Sequence, residues 1–224
     1  MQQTTFEGAI ITALGHDGFL VEFPNENLTL AFDPFQIAPI DKKADYIFVS
    51  HGHFDHCDPD SIRKLSHEKT VIVASNAFQN ELAEFGDKVA FYDGTDKVKL
   101  EKITYWAIPA YNVNKFRTPT EVFHPKELGG VGFIVEVGST RIYHAGDTDV
   151  TPEMETLKKI DVALLPISGT YVMTVEEAVQ AAELIQPKLA IPMHFGKLLG
   201  SVMDAHRFRD LLKDKIAVTV LTAE

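Results

Sequence analysis

Asp45-Tyr46-Ile47-Phe48-Val49 leads directly into Ser50-His51-Gly52-His53-Phe54-Asp55-His56-Cys57-Asp58, and this junction decides how the chain reads. The first part is a short apolar run of strand type. The second packs His51, His53, Asp55 and His56 into one turn's worth of chain, with Gly52 expected to let the backbone turn. A core could not hold such a cluster without partners. Neutral imidazoles and a carboxylate are the ligands that borderline divalent cations prefer. The stretch therefore predicts a metal site at the end of a strand, completed by ligands from elsewhere.

Working outward, the preceding residues read as strands joined by tight turns. Gly8 to Leu14, Phe19 to Phe23 and Leu28 to Phe32 are apolar or alternating, broken at Gly15-His16-Asp17-Gly18 and Pro24-Asn25-Glu26-Asn27. Beyond the cluster, Asp58-Pro59 opens a helix, Thr70 to Ala74 is a strand, and Ser75 or Asn76 is expected to cap a helix running to Phe85. Lys88 to Tyr92 and Val98 to Ile108 return to strand. Residues 110–130 lack periodicity but carry Tyr111, Asn112, Phe116 and Arg117, which suggests a functional segment.

Strands follow at Gly132 to Val137, Arg141 to His144, Asp161 to Pro166, Lys188 to Pro192 and Ile216 to Leu221. Between them, Thr151-Pro152 opens a short helix, Thr174-Val175-Glu176-Glu177 has capping-box spacing, and Ser201 caps a last helix to Leu212. Both halves begin with hairpin-like strands and end in strand-helix units. That weak symmetry suits two sheets packed face to face with helices outside. With no linker or low-complexity tract, residues 1–224 are expected to form a single domain.

With 45% hydrophobic and 24% charged residues, the composition is ordinary for a globular protein. No apolar run has the length of a membrane span, and no signal peptide is visible at the N-terminus. The lone Cys57 excludes an internal disulfide and fits a reducing compartment, so a cytoplasmic location is expected. The formal net charge of −11 argues against a nucleic-acid backbone as the main partner.

The remaining histidines are sorted by position. His67 lies in the charged run 66–69 and His206 on a helix surface beside Arg207 and Arg209, so both are expected to be ordinary surface residues. His124, Asp147 and His194 each stand where a strand meets a turn or in a long loop, where functional groups are displayed. His16 and His144 adjoin such turns, as ligand-orienting groups, proton donors, substrate contacts or structural residues. Asp33 could orient a ligand imidazole or end a strand. Tyr111, Asn112 and the following loop, with Ser168-Gly169-Thr170-Tyr171, are candidate pocket walls, and Met173 and Met193 are expected to pack.

His51-Gly52-His53-Phe54-Asp55-His56 resembles the His-x-His-x-Asp-His signature of the metallo-β-lactamase superfamily, and His124, Gly146-Asp147-Thr148 and His194 follow in that superfamily's order. Gly15-His16, Asp33-Pro34-Phe35 and Tyr143-His144-Ala145-Gly146-Asp147 look more narrowly like small metal-dependent hydrolases similar to L-ascorbate-6-phosphate lactonase. The resemblance implies an α/β (α+β) fold, a four-layer αββα sandwich of two mixed sheets flanked by helices. It also implies a binuclear site: His51, His53 and His124 on one ion, Asp55, His56 and His194 on the other, and Asp147 bridging. Asp55 and His144 become candidate catalytic groups, and His16, Asn112 and Tyr171 candidate substrate contacts.

The expected chemistry is hydrolysis of a small-molecule ester, lactone, amide or phosphoester by a hydroxide held at the metals. A nuclease of the same superfamily is the first alternative, weakened by the acidic balance. A non-catalytic metal-binding or sensor protein is another, weakened by the complete ligand set. A purely structural zinc site would favour thiolates, and this set has none. Two divalent ions are expected, with Zn²⁺ preferred and Mn²⁺, Fe²⁺ or Ni²⁺ as alternatives. The expected partner is a small-molecule substrate, with no membrane and room for a homo-oligomer.

Overall fold

Seven strands build the first sheet of the computed structural model, which describes residues 1–94 and 96–223. They are β1 (Gln3–Phe6), β2 (Ala9–Gly15), β3 (Gly18–Phe23), β4 (Leu28–Phe32), β5 (Tyr46–Val49), β6 (Val71–Ser75) and β7 (Val89–Tyr92), arranged in chain order across the sheet. The strands from β1 to β4 are antiparallel, as short hairpin turns require, and those from β4 to β7 are parallel. Helix α1 (Pro59–Leu65) makes the crossover from β5 to β6. Asp58 caps it by accepting from Asp60 N at 3.1 Å, and Pro59 occupies the first turn, where a missing N–H costs nothing.

These residues form one compact unit, Met1–Gly94 with Leu221–Glu224. The returning C-terminal segment is fixed to the start of the chain by Gln2 N donating to Thr222 O at 2.8 Å. Ile62 and Leu65 of α1 join Leu14, Leu20, Ile47, Val49 and Ile72 in a core cluster. Burying each such side chain contributes roughly 1.5–3 kcal/mol. Ile47, Phe48 and Val49 are all buried, so β5 is a continuous apolar run and not an alternating one.

Thr95–Val220 forms the second unit. Its strands are β8 (Val98–Lys99), β9 (Thr104–Pro109), β10 (Phe116–Thr118), β11 (Glu121–Val122), β12 (Val131–Val137), β13 (Thr140–His144), β14 (Val162–Pro166), β15 (Leu189–Met193) and β16 (Ala217–Val218). The large sheet runs β16-β15-β14-β13-β12-β9-β8, while β10 and β11 make a separate hairpin. As in the first unit, one half is antiparallel and the half from β13 to β16 is parallel. The internal symmetry suggested by the sequence is thus a shared strand plan. Helix α2 (Val175–Ile185) carries the expected Thr174–Glu177 capping box, and α3 (Val202–Leu211) has the same device in Ser201 and Asp204. Met173 and Met193 are buried.

Several local expectations need correction. The helix expected from Ser75 to Phe85 is instead two 3-10 segments, Asn76–Phe78 and Ala83–Lys88. Leu82 is buried there but Gln79, Asn80, Glu81 and Glu84 are exposed, so the segment has an anchor without an apolar stripe to support a helix. Val98 to Ile108 is a hairpin and not one strand, turned where Leu100 N donates to Ile103 O at 2.9 Å. The helix after Thr151 is the 3-10 segment Pro152–Thr156, and the final strand is only Ala217–Val218. Strand β1 escaped notice because its polar residues pair at a sheet edge.

Candidate metal centre

Open α/β sheets present functional groups beyond the carboxyl ends of their parallel strands. In the first unit β4 and β5 are parallel neighbours, with Phe32 opposite Phe48. Asp33 and Ser50 therefore leave the sheet side by side. The Asp33 carboxylate accepts from Ser50 N at 2.7 Å, from Ser50 Oγ at 2.5 Å and from His56 Nδ1 at 2.8 Å. With its proton given to Asp33, the Ser50 hydroxyl accepts from His51 Nδ1 at 3.0 Å. Both imidazoles thereby carry their proton on Nδ1 and present Nε2 in the unprotonated form that a metal requires.

His51 Nε2 and His53 Nδ1 lie 3.0 Å apart. Two imidazole nitrogens sharing one zinc at tetrahedral angles stand roughly 3.3 Å apart, so the pair fits a common ion. Asp55 Oδ2 lies 4.0 Å from His56 Nε2 and 3.2 Å from His16 Nε2. Gly52, expected to provide a turn, is not in the left-handed region. Its role is close approach, since a Cβ there would meet Phe78 Cδ1 at 2.7 Å.

A further acidic group that sequence reasoning passed over is Asp17, fully buried with Oδ2 3.7 Å from His56 Nδ1. Its signal was available, as a charged residue inside the turn next to His16. Cys57 is buried in the apolar cluster, and burial, reinforced by the Asp33 charge, pushes its thiol up to about 12.

In the second unit, β13, β14 and β15 are parallel neighbours, so the segments after His144, Pro166 and Met193 emerge at one edge. Asp147 Oδ2 lies 3.4 Å from His124 Nε2 and 3.5 Å from His194 Nε2. One carboxylate oxygen thus faces two imidazole nitrogens from separate elements, as a bridging ligand would. His124 is oriented by Asn112, whose Oδ1 accepts from His124 N at 2.9 Å and from His124 Nδ1 at 3.0 Å. The amide orientation follows from its other end, where Asn112 Nδ2 donates to Tyr171 O at 2.8 Å. His194 Nδ1 pairs with Ser168 Oγ at 2.8 Å.

The remaining sequence candidates are placed as follows. Asn112 is buried and acts on His124. Tyr171 is partly exposed, and its ring lies edge-on to Phe123 at 4.7 Å. His144 is buried, and its Nδ1 accepts from Gly146 N at 3.3 Å, which supports the turn that carries Asp147. His16 is buried beside Asp55. His67 Nε2 lies 3.6 Å from Asp45 Oδ1, and His206 is part of α3.

Three of these residues adopt left-handed backbone. His16, Asp33 and His194 have φ of +53°, +36° and +59°. Left-handed backbone at non-glycine residues costs on the order of 1–3 kcal/mol each and persists where surrounding structure over-determines it. The loop before His124 is held by a charged network: Lys115 Nζ lies 3.2 Å from Asp149 Oδ1 and 2.6 Å from Glu177 Oε2, and Asp149 Oδ2 accepts from Val113 N at 2.8 Å. Burial works against ionised Glu177, but hydrogen bonds from Lys115, Thr174 N and Asn114 prevail and bring it down to about 2.

The donor set therefore fits divalent cations: imidazoles with tied Nδ1 atoms, carboxylates within reach, and no thiolate. Comparison with known proteins agrees. The model of the beta-lactamase superfamily domain matches residues 10–194. A UPF0173 metal-dependent hydrolase of Carboxydothermus hydrogenoformans is 34% identical over 212 residues, covering 89% of this chain and 90% of its own. Among solved structures, a candidate metal-dependent hydrolase from Parabacteroides distasonis is 30% identical with a TM-score of 0.84, covering 98% of each chain. Igni18, a metallo hydrolase from Ignicoccus hospitalis, shares the fold at 22% identity and a TM-score of 0.77, covering 96% of this chain and 95% of its own. These likenesses bear out the sandwich fold expected from the sequence. The chain belongs to the beta-lactamase superfamily domain family and, within it, to the UPF0173 metal-dependent hydrolases.

Proposed function

We propose that the chain, acting as one hydrolase domain, cleaves a small-molecule ester, lactone, amide or phosphoester at a binuclear metal centre. His51, His53 and His124 would hold one ion, Asp55, His56 and His194 the other, and Asp147 would be shared. The observation that carries this reading is the common oxygen of Asp147, 3.4 Å from His124 Nε2 and 3.5 Å from His194 Nε2. Tied Nδ1 atoms in His51, His56 and His124 support it independently.

When bound, two such cations acidify a water molecule and polarise the substrate oxygen, so no serine or cysteine nucleophile is needed. The chain's own part is orientation. Asp33, Ser50, Asn112 and Ser168 fix the imidazoles. Asp55 can hold the attacking water by a hydrogen bond and return its proton to the leaving group. His144 steadies Gly146 and hence the carboxylate of Asp147.

Zinc is our preferred metal, and a small lactone or phosphorylated sugar the preferred substrate class, by likeness to the L-ascorbate-6-phosphate lactonase branch. The reading is tested by elemental analysis together with a screen of lactones, phosphodiesters and phosphorylated sugars on protein of known metal content. About two ions per chain, turnover lost in Asp55→Ala and kept in His206→Ala, and activity falling with pH as imidazoles take up protons are expected. One ion or none, or equal damage from the two substitutions, would overturn it.

A further inference from the structure

We propose that His16 is itself a ligand of the cation held by Asp55 and His56, so that the first unit supplies two imidazoles and a carboxylate to one ion. The inference rests on the metal reading above and adds a residue outside the seven-ligand set.

Three observations carry it. First, Asp55 Oδ2 is flanked by two imidazole nitrogens, His16 Nε2 at 3.2 Å and His56 Nε2 at 4.0 Å, and the three donors all lie within 4.8 Å of one another. Two donors at bond lengths of about 2.2 Å from one ion can stand at most about 4.4 Å apart, and both separations from Asp55 Oδ2 fall inside that span. Second, the ring of His16 is locked in place. Its side chain is buried, with Phe35 edge-on at 5.9 Å and the His56 ring at 5.6 Å.

Third, the turn between β2 and β3 is built to deliver it. His16 takes a left-handed φ of +53°, and the register shifts between Ala13 and Gly15. A Cβ on Gly18 would meet Gly15 O at 3.0 Å and Asp33 O at 3.3 Å, so the turn closes tightly against the residue that orients His56.

The chemical consequence concerns metal choice. Two imidazoles and one carboxylate leave open positions on the ion, a donor set that serves catalytic zinc and also Fe²⁺. With His16 in place, the two metal positions need not prefer the same element.

The test uses His16→Gln, whose amide can still donate a hydrogen bond to Asp55 but binds metal poorly. Purified protein is loaded with Co²⁺ and titrated with a chelator while the visible absorption is followed. If His16 is a ligand, one of the two ions is released more than about a hundredfold more readily in the variant, beyond the loss expected from an orienting partner, and its absorption band changes. In wild-type protein, proton NMR of the Co²⁺ form should show one shifted imidazole N–H beyond those of His51, His53, His56, His124 and His194. That wild-type signal keeps the proposal testable if the variant folds poorly.

Unchanged release and spectrum in His16→Gln, or a missing extra resonance, overturns the assignment and leaves His16 as a hydrogen-bond donor to Asp55. Asp55→Ala separates the two readings. If it loses an ion while His16→Gln does not, this inference alone fails. If neither changes the metal content, the binuclear centre itself fails.

Discussion

Asp33 Oδ2 lies 2.8 Å from His56 Nδ1, and the same carboxylate receives both the backbone N–H and the hydroxyl of Ser50. One buried anion thus sets the tautomer of His56 directly and that of His51 through Ser50. Carboxylate partners of metal-binding histidines raise their basicity and fix their rings. In Asp33→Asn, one amide face would confront the His56 Nδ1 proton or the Ser50 hydroxyl with another donor. Metal affinity or turnover should fall about 10- to 100-fold, measured by chelator competition alongside kinetics. A variant with unchanged affinity and rate would show that the imidazoles orient themselves.

Asn112 separates two roles by kinetics. Its Oδ1 is committed to His124 and its Nδ2 to Tyr171 O. Acting through His124, Asn112→Leu should lower kcat by about 10- to 100-fold with little change in KM. Asn112→Asp, which retains the acceptor, should recover part of the loss. A rise in KM at constant kcat would instead restore the substrate contact expected from the sequence.

How much of this was legible follows from the kind of signal each residue leaves. His51, His53, Asp55 and His56 stand out because that density of ligand types after an apolar run has no other common explanation. Asp147 and His194 follow strands and His124 lies in the long loop, places where functional groups are displayed. The groups that orient them left a weaker trace, because they act through contacts remote in sequence. Asp33 and His56 are 23 residues apart and Ser168 and His194 are 26 apart. Ser50 looks like an ordinary polar residue at a strand end until parallel pairing sets β4 beside β5, and Ser168 like a pocket-wall residue until β14 lies beside β15. The failed helix at 76–85 has the opposite cause. Ser75 does accept from Ala77 N at 3.3 Å, but a cap starts a helix without sustaining one that buries little beyond Leu82.

Cys57 adjoins the candidate ligands yet belongs to the apolar core, with its thiol raised to about 12, chiefly by burial. At pH 8 the thiolate fraction would be on the order of one in ten thousand. Native protein should therefore resist iodoacetamide for hours, whereas urea-unfolded protein should be labelled within minutes, as read by intact mass. Rapid labelling of the native form would show that the region opens readily. Cys57→Ala should then affect stability more than turnover, since its loss removes core packing.

Glu177 ties the loop that carries His124 to the start of α2, and its response to acid has a defined sign. Its carboxyl is lowered from 4.5 to about 2 in the folded chain, with hydrogen bonds from Lys115, Thr174 N and Asn114 overcoming burial. Between those values the unfolded chain binds the extra proton, so stability rises with pH there. The contribution is complete above about 4.5 and is lost as pH falls towards 2. Glu177→Gln should therefore narrow the difference in urea midpoint between pH 5 and pH 3, compared with wild-type protein. Because α2 keeps its Thr174 cap while Lys115 loses a partner at 2.6 Å, the variant should also be less stable at neutral pH. Parallel pH curves for the two proteins would mean that Lys115 and Asp149 hold the loop without Glu177.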